Sequence, residues 1–168
     1  MEKPTTYERF PVGQVVLCGL FTVAIYALGA YILAGFGAWV PIVYVGYCLW
    51  IEFRILQASC ANCTYYGKLC GLGRGVICAL LLKKGDPDRF LARQPSWRDV
   101  LPDMLVVVLP IVGGIVLLVR DFSWTRLGVM IVLLALYFAG NALTRGAFAC
   151  KHCKQRELGC PAQELFQR

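Results

Sequence analysis

The stretch that decides the fold is Phe10 to Ile51, FPVGQVVLCGLFTVAIYALGAYILAGFGAWVPIVYVGYCLWI, which contains no Asp, Glu, Lys, Arg or His. A bilayer crossing takes roughly 20 apolar residues as a helix, so this run is long enough for two crossings joined by a tight turn at Gly35, Phe36 and Gly37. The first crossing is expected over Val12–Ala34 and the second from about Trp39 through Ile55. A cleaved signal peptide is the competing reading of the first run. Its apolar part is too long for that role, however, and a second apolar run follows almost at once. Two further apolar runs, Met104–Val119 and Leu127–Leu143, predict a second hairpin. The whole chain of 168 residues is 58% hydrophobic, with a mean hydropathy of +0.62, above what a soluble domain hides.

Charge orients this bundle. The formal net charge is +7. Lys68, Arg74, Lys83, Lys84, Arg89, Arg93 and Arg98 crowd the segment between the second and third runs, and Arg145, Lys151, Lys154, Arg156 and Arg168 follow the fourth. The other two connections carry no charge or only Arg120, Asp121 and Arg126. The positive-inside rule therefore predicts a multi-pass protein of the cell (inner) membrane, with both termini and the central segment cytoplasmic. Anionic lipid headgroups account for the basic excess. No nucleic-acid motif accompanies it, and no nucleic-acid partner is expected.

The chain repeats itself. Cys60, Cys63 and Cys70 have the spacing C-x2-C-x6-C, and Cys150, Cys153 and Cys160 have it again, shifted by 90 positions. The same shift carries the start of the first crossing to Pro102. The predicted fold is an all-α polytopic membrane protein with four transmembrane helices. They form two pseudo-twofold-related helix hairpins, repeats 11–78 and 101–160 joined by the basic segment 79–100, each followed by a cytoplasmic cysteine cluster. Each unit crosses twice, so the copies run parallel about an axis along the membrane normal.

Nine cysteines admit three explanations. Cys18 and Cys48, single residues inside crossings, suit apolar packing. Disulfides are disfavoured on a reducing face. Metal ligation fits the triplets, because C-x2-C presents two thiolates to one ion and a distant second pair completes a tetrahedron. The candidate metal ligands are Cys60, Cys63, Cys70, Cys150, Cys153 and Cys160, with Cys78 and His152 as weaker candidates, in one shared site or two separate ones. The cofactor is an iron-sulfur cluster or zinc; Cys160–Pro161 leans to a cluster, although the spacing departs from the ferredoxin runs. Lys68, Lys151, Lys154 and Arg156 are expected to lower the thiol pKa values. Tyr65 and Tyr66 are expected to anchor at headgroup level, and Gly71, Gly73 and Gly75 to let the backbone turn tightly.

Leu72–Lys84 is predicted to be a short helix on the membrane surface, stopped by Lys83–Pro87, and Ser96–Asp99 has capping-box spacing before the third crossing. Without a catalytic domain or a serine-histidine-acid set, a redox or binding subunit is expected rather than a stand-alone enzyme. Its partners are the lipid bilayer and a cytoplasmic or membrane protein. The alternatives are a zinc-stapled structural adaptor or assembly factor, and a soft-metal transporter using Cys18 and Cys48.

Overall fold

The computed structural model describes residues 6–92, 97–158 and 160. Arg93, Ser96, Pro161 and Arg168, which entered the charge, capping and ligand arguments, lie outside these described residues. Among the described residues the chain is helical, with one isolated β-bridge. The helices are α1 (Val12–Leu33), α2 (Trp39–Ala58), α3 (Arg74–Leu81), α4 (Pro87–Leu91), α5 (Trp97–Arg120) and α6 (Trp124–Asn141). Among the described residues, four segments are long and apolar enough to cross a membrane: Val12–Phe36, Trp39–Asn62, Asp99–Arg120 and Trp124–Thr144.

The first helix keeps to its apolar stretch, whereas the third extends beyond its own. The capping-box spacing at 96–99 leads into the third crossing, and α5 begins at Trp97 with Asp99 in its first turn, ahead of the apolar run that starts at Met104. An acidic first turn suits a helix start, while Pro102 lies inside the helix. Apolarity marks the hydrocarbon layer; hydrogen bonding continues the helix beyond it. Between α1 and α2 the chain tightens into the 3₁₀ turn Ala34–Phe36, closed by the Gly37 amide on the Ala34 carbonyl. Gly37 has φ +125°, a conformation open to glycine.

The chain divides into two compact units, each containing pieces of both sequence repeats. One comprises Leu20–Glu52 and Trp97–Asn141, the greater part of the four long helices. Its core gathers Ile32, Met130 and Leu133, with Ile25, Leu28, Ile111, Leu118 and Val129 against them, while residues such as Val43 and Phe138 face outward. Outward apolar side chains on hydrogen-bonded helices are the arrangement that lipid requires.

Within this unit α5 has a break in its hydrogen bonding. Pro110 has no N–H, so the carbonyl of Val106, four residues earlier, loses its helical donor. Tyr44 of α2 replaces it: its hydroxyl donates to Val106 O at 2.8 Å, and both residues are buried. Gly29 of α1 makes room, since a Cβ there would lie 2.4 Å from the Tyr44 hydroxyl and 3.0 Å from Pro110. Tyr47 donates to Pro102 O at 2.8 Å, and at the far end of α5 Arg126 donates to Leu117 O and Asp121 O at 3.1 and 2.8 Å. The last carbonyls of a helix need donors such as Arg126. Tyr26 donates to Glu52 at 2.7 Å, so this carboxylate has a partner within the unit.

The second unit comprises Met1–Gly19, Phe53–Ser96 and Ala142–Arg168. Its small core is Leu56, Ala61 and Cys78, with Cys60, Tyr66 and Leu82 packed on it. Here α3 is shorter than the predicted Leu72–Lys84, because Leu82 is already extended. Pro87 then opens α4, where the Asp86 side chain accepts from the Asp88 amide at 3.0 Å, an N-cap. α6 runs on as the π-helix Ala142–Ala149 towards Cys150, with wider i→i+5 turns.

Candidate thiol site

Both C-x2-C motifs begin where a helix ends and fold into the same pair of turns. The Cys63 amide donates to Cys60 O at 3.3 Å and the Tyr66 amide to Cys63 O at 3.0 Å. Ninety positions later the Cys153 amide donates to Cys150 O at 3.4 Å and the Arg156 amide to Cys153 O at 3.1 Å. Cys63 and Cys153 are both extended, with φ/ψ of −85°/151° and −81°/121°. Successive i→i+3 turns satisfy backbone groups once the α-helix has stopped.

The two segments are joined by a clasp. The buried Gln155 side chain accepts, through Oε1, from Thr64 Oγ1 at 2.8 Å, from the Thr64 amide at 3.2 Å and from Cys63 Sγ at 3.8 Å. Tyr65, also buried, accepts from the Lys154 amide at 3.0 Å and donates to the carbonyl of Tyr7. Gly71 packs on Ala149, which a Cβ would meet at 2.6 Å. The N-terminal arm straps across both segments. The Tyr7 amide donates to His152 O and the Phe10 amide to Leu69 O, each at 3.0 Å. Tyr7 bridges to Cys153, its ring stacks on His152 at 4.9 Å, and Phe10 is buried beside Tyr65. Glu8 pairs with Lys154 at 3.1 Å, which holds its carboxyl below the usual range.

Tyr65 is therefore not the headgroup anchor its type suggested. It is inside the clasp, where its phenol finds partners away from any headgroup; Tyr66 is half-buried and donates to Leu82 O at 2.7 Å.

All nine cysteines are free thiols. Cys60, Cys63, Cys70, Cys153 and Cys160 are half-buried, Cys150 is exposed, and Cys78 is buried, donating to Leu56 O at 3.7 Å. Cys63 lies within electrostatic range of Cys70 and Cys160, and Cys153 within range of Cys63, Cys150 and Cys160. Cys70 similarly neighbours Cys18 from the first helix. Among the described residues, no three His, Cys, Asp or Glu side chains are gathered at ligating geometry.

The expected lowering of the thiol pKa values is overturned at Cys60, Cys63 and Cys153. Burial pushes Cys63 up and Cys153 up to about 12. No lysine is prominent among the influences on either; Lys68, Lys151 and Arg156 are exposed, and Lys154 is spent on Glu8. Loss of hydration opposes the thiolate more than solvated cations favour it.

Composition had not singled out Thr64, Gln155, Tyr7 or Phe10. The signal for the first two was nevertheless in the repeat, since a shift of 90 aligns Thr64 with Lys154 and Tyr65 with Gln155. No family model, curated protein or solved structure matches this chain.

Proposed function

We propose that the chain is a four-span protein of the cell membrane whose two C-x2-C-x6-C segments make up one paired thiol centre on the cytoplasmic side. The centre takes an iron-sulfur cluster or another soft metal, and the protein works as a redox subunit of a membrane assembly. The observation that carries this reading is the reciprocity of the clasp. Thr64 meets Gln155 and Tyr65 meets Lys154, while Lys154 is the repeat counterpart of Thr64 and Gln155 that of Tyr65. A contact in which i meets j′ and j meets i′ is what a twofold axis produces. It supports a pseudo-twofold relation with Cys63 and Cys153, the residues just before the clasp, on either side of the axis.

The donor chemistry suits a soft cation. Six clustered thiols exceed the four that one structural zinc uses, and the electrostatic neighbourhood of Cys63, Cys153 and Cys160 supports a shared centre. Cys60, Cys63, Cys150 and Cys153 are the primary ligands proposed, with Cys70 and Cys160 completing or extending the set and Cys78 and His152 in reserve. A bound cluster would supply a one-electron carrier. The chain's own part is to exclude water and to orient the Cys63 thiol, which donates to Gln155 Oε1 and would lose its proton to solvent on ligation. Ligation would require these thiols to give up their protons, so binding would be favoured as pH rises.

Protein purified without oxygen should be coloured and contain iron and acid-labile sulfide. Colourless protein with stoichiometric zinc would remove the redox role and leave the structural reading. That second reading draws on the position of Cys60 and Cys150 at the ends of α2 and of the α6 extension, where one zinc would staple two spans. Protein that binds neither metal after reconstitution, with all nine thiols titrating freely, overturns the centre altogether.

A further inference from the structure

Helix α3 has two unlike faces. Gly75 and Cys78 are buried, Cys78 against Leu56 and Ala61, whereas Ile77, Leu80 and Leu81 are 49%, 80% and 60% exposed. Such an apolar face is costly in water. Basic residues bracket it: Arg74 opens the helix, and Lys83 and Lys84 follow it and are exposed.

Two contacts fix its level. Gly73, the N-cap residue with φ +72°, lies against Val15, whose Cγ1 would be 2.9 Å from a Cβ there. Val15 is three residues inside α1, so about 4.5 Å from its first residue at a rise of about 1.5 Å per residue. Cys78 donates to Leu56 O, two residues before the end of α2. Both anchors belong to the end turns of spanning helices, where hydrocarbon gives way to headgroups. An amphipathic helix lying in the interface sits about 5–10 Å into that boundary.

We propose that α3 is a lipid-binding helix, with Ile77, Leu80 and Leu81 among the upper acyl chains and Lys83 and Lys84 on anionic headgroups. Charge complementarity selects this occupant over a second copy of the chain, whose own basic segment would be repelled. Because α3 holds Cys78 against Cys60 and Leu56, lipid contact also steadies the wall of the thiol unit. The inference does not depend on any metal being bound.

The test places one reporter on the exposed face: Leu80→Trp in a background where Trp39, Trp50, Trp97 and Trp124 are Phe, reconstituted in phosphatidylcholine vesicles with or without phosphatidylglycerol. Emission should be blue-shifted and quenched by lipids brominated high on the acyl chain. Brominated phosphatidylglycerol should quench better than brominated phosphatidylcholine, and this preference should fall about five-fold for each of Lys83→Gln and Lys84→Gln, since a juxtamembrane lysine is worth about 1 kcal/mol. Red-shifted, unquenched emission from a helical protein would overturn the proposal, as would quenching that the lysine changes leave untouched. Burial of the reporter that grows with protein density and vanishes on dilution in lipid would assign the face to a second copy instead. If the tryptophan background fails to fold, hydrogen exchange of residues 74–84 in the unmodified protein decides. Slower exchange in anionic than in zwitterionic nanodiscs supports the proposal, and equal exchange overturns it.

Discussion

At Tyr44 a single hydroxyl makes good what Pro110 takes away. Polar contacts between membrane helices average about 0.6 kcal/mol and reach about 1.7; the Val106 carbonyl has no helical donor to fall back on, so Tyr44→Phe should destabilise towards the top of that range, by about 1.5 kcal/mol, in unfolding from mixed micelles. In a Pro110→Ala background the backbone amide restored at that position supplies the bond, and the cost of Tyr44→Phe should shrink towards zero; undiminished cost would show that the hydroxyl acts elsewhere. Cys153 offers a second test at this scale. With its pKa pushed up to about 12, only about one part in ten thousand is thiolate at pH 8, against about a quarter for an ordinary cysteine. In metal-free protein the exposed Cys150 should alkylate first and Cys153 should lag, catching up only as pH rises. The sign for stability follows from the same shift. The folded-state pKa lies above the unfolded one, so the contribution is complete below the ordinary thiol pKa and is lost as pH rises towards about 12. Mass spectrometry of alkylated peptides across a pH series checks the order.

At the scale of elements, backbone contacts decide which positions tolerate change. A Cβ at Gly75 would stand 2.2 Å from Tyr65 O and 2.4 Å from Lys68 O, while Gly128 in α6 has nothing within 4 Å. Backbone carbonyls cannot turn aside as a side chain can. Gly75→Ala should therefore cost at least about 2 kcal/mol by pushing α3 off its seat, and Gly128→Ala should be neutral or stabilise by up to about 1 kcal/mol through helix propensity. Equal unfolding midpoints for the two variants would contradict this account of α3. The four crossings were legible because an uncharged run such as Phe10 to Ile51 has no other use. The start of α5 at Trp97 was legible as well, from the capping-box spacing at 96–99; the end of α3 was not, because Leu82 is extended and its carbonyl is taken by Tyr66. Tyr65 was misjudged for a related reason: its residue type fits an interface, and only the path of the arm through Tyr7 reveals a buried partner.

For the whole molecule, the division into two units implies two responses to chelation. If the thiol centre holds metal, a strong chelator should speed amide exchange at 60–70 and 150–156, because those turns rest on few buried contacts, and leave the middles of α1, α2, α5 and α6 protected. Loss of protection throughout would mean that the metal holds up the entire fold. The sequence by itself determined the four apolar crossings, the basic flanks and the 90-residue recurrence of cysteines, since each is a pattern along the chain that bilayer physics or ligand chemistry reads directly. Tertiary structure alone decided that Thr64 and Tyr65 clasp Lys154 and Gln155, that Tyr44 serves Val106, and that burial overrides the neighbouring lysines at Cys63 and Cys153. Those outcomes depend on which distant segments exclude water from one another, and no local pattern of residue types encodes that.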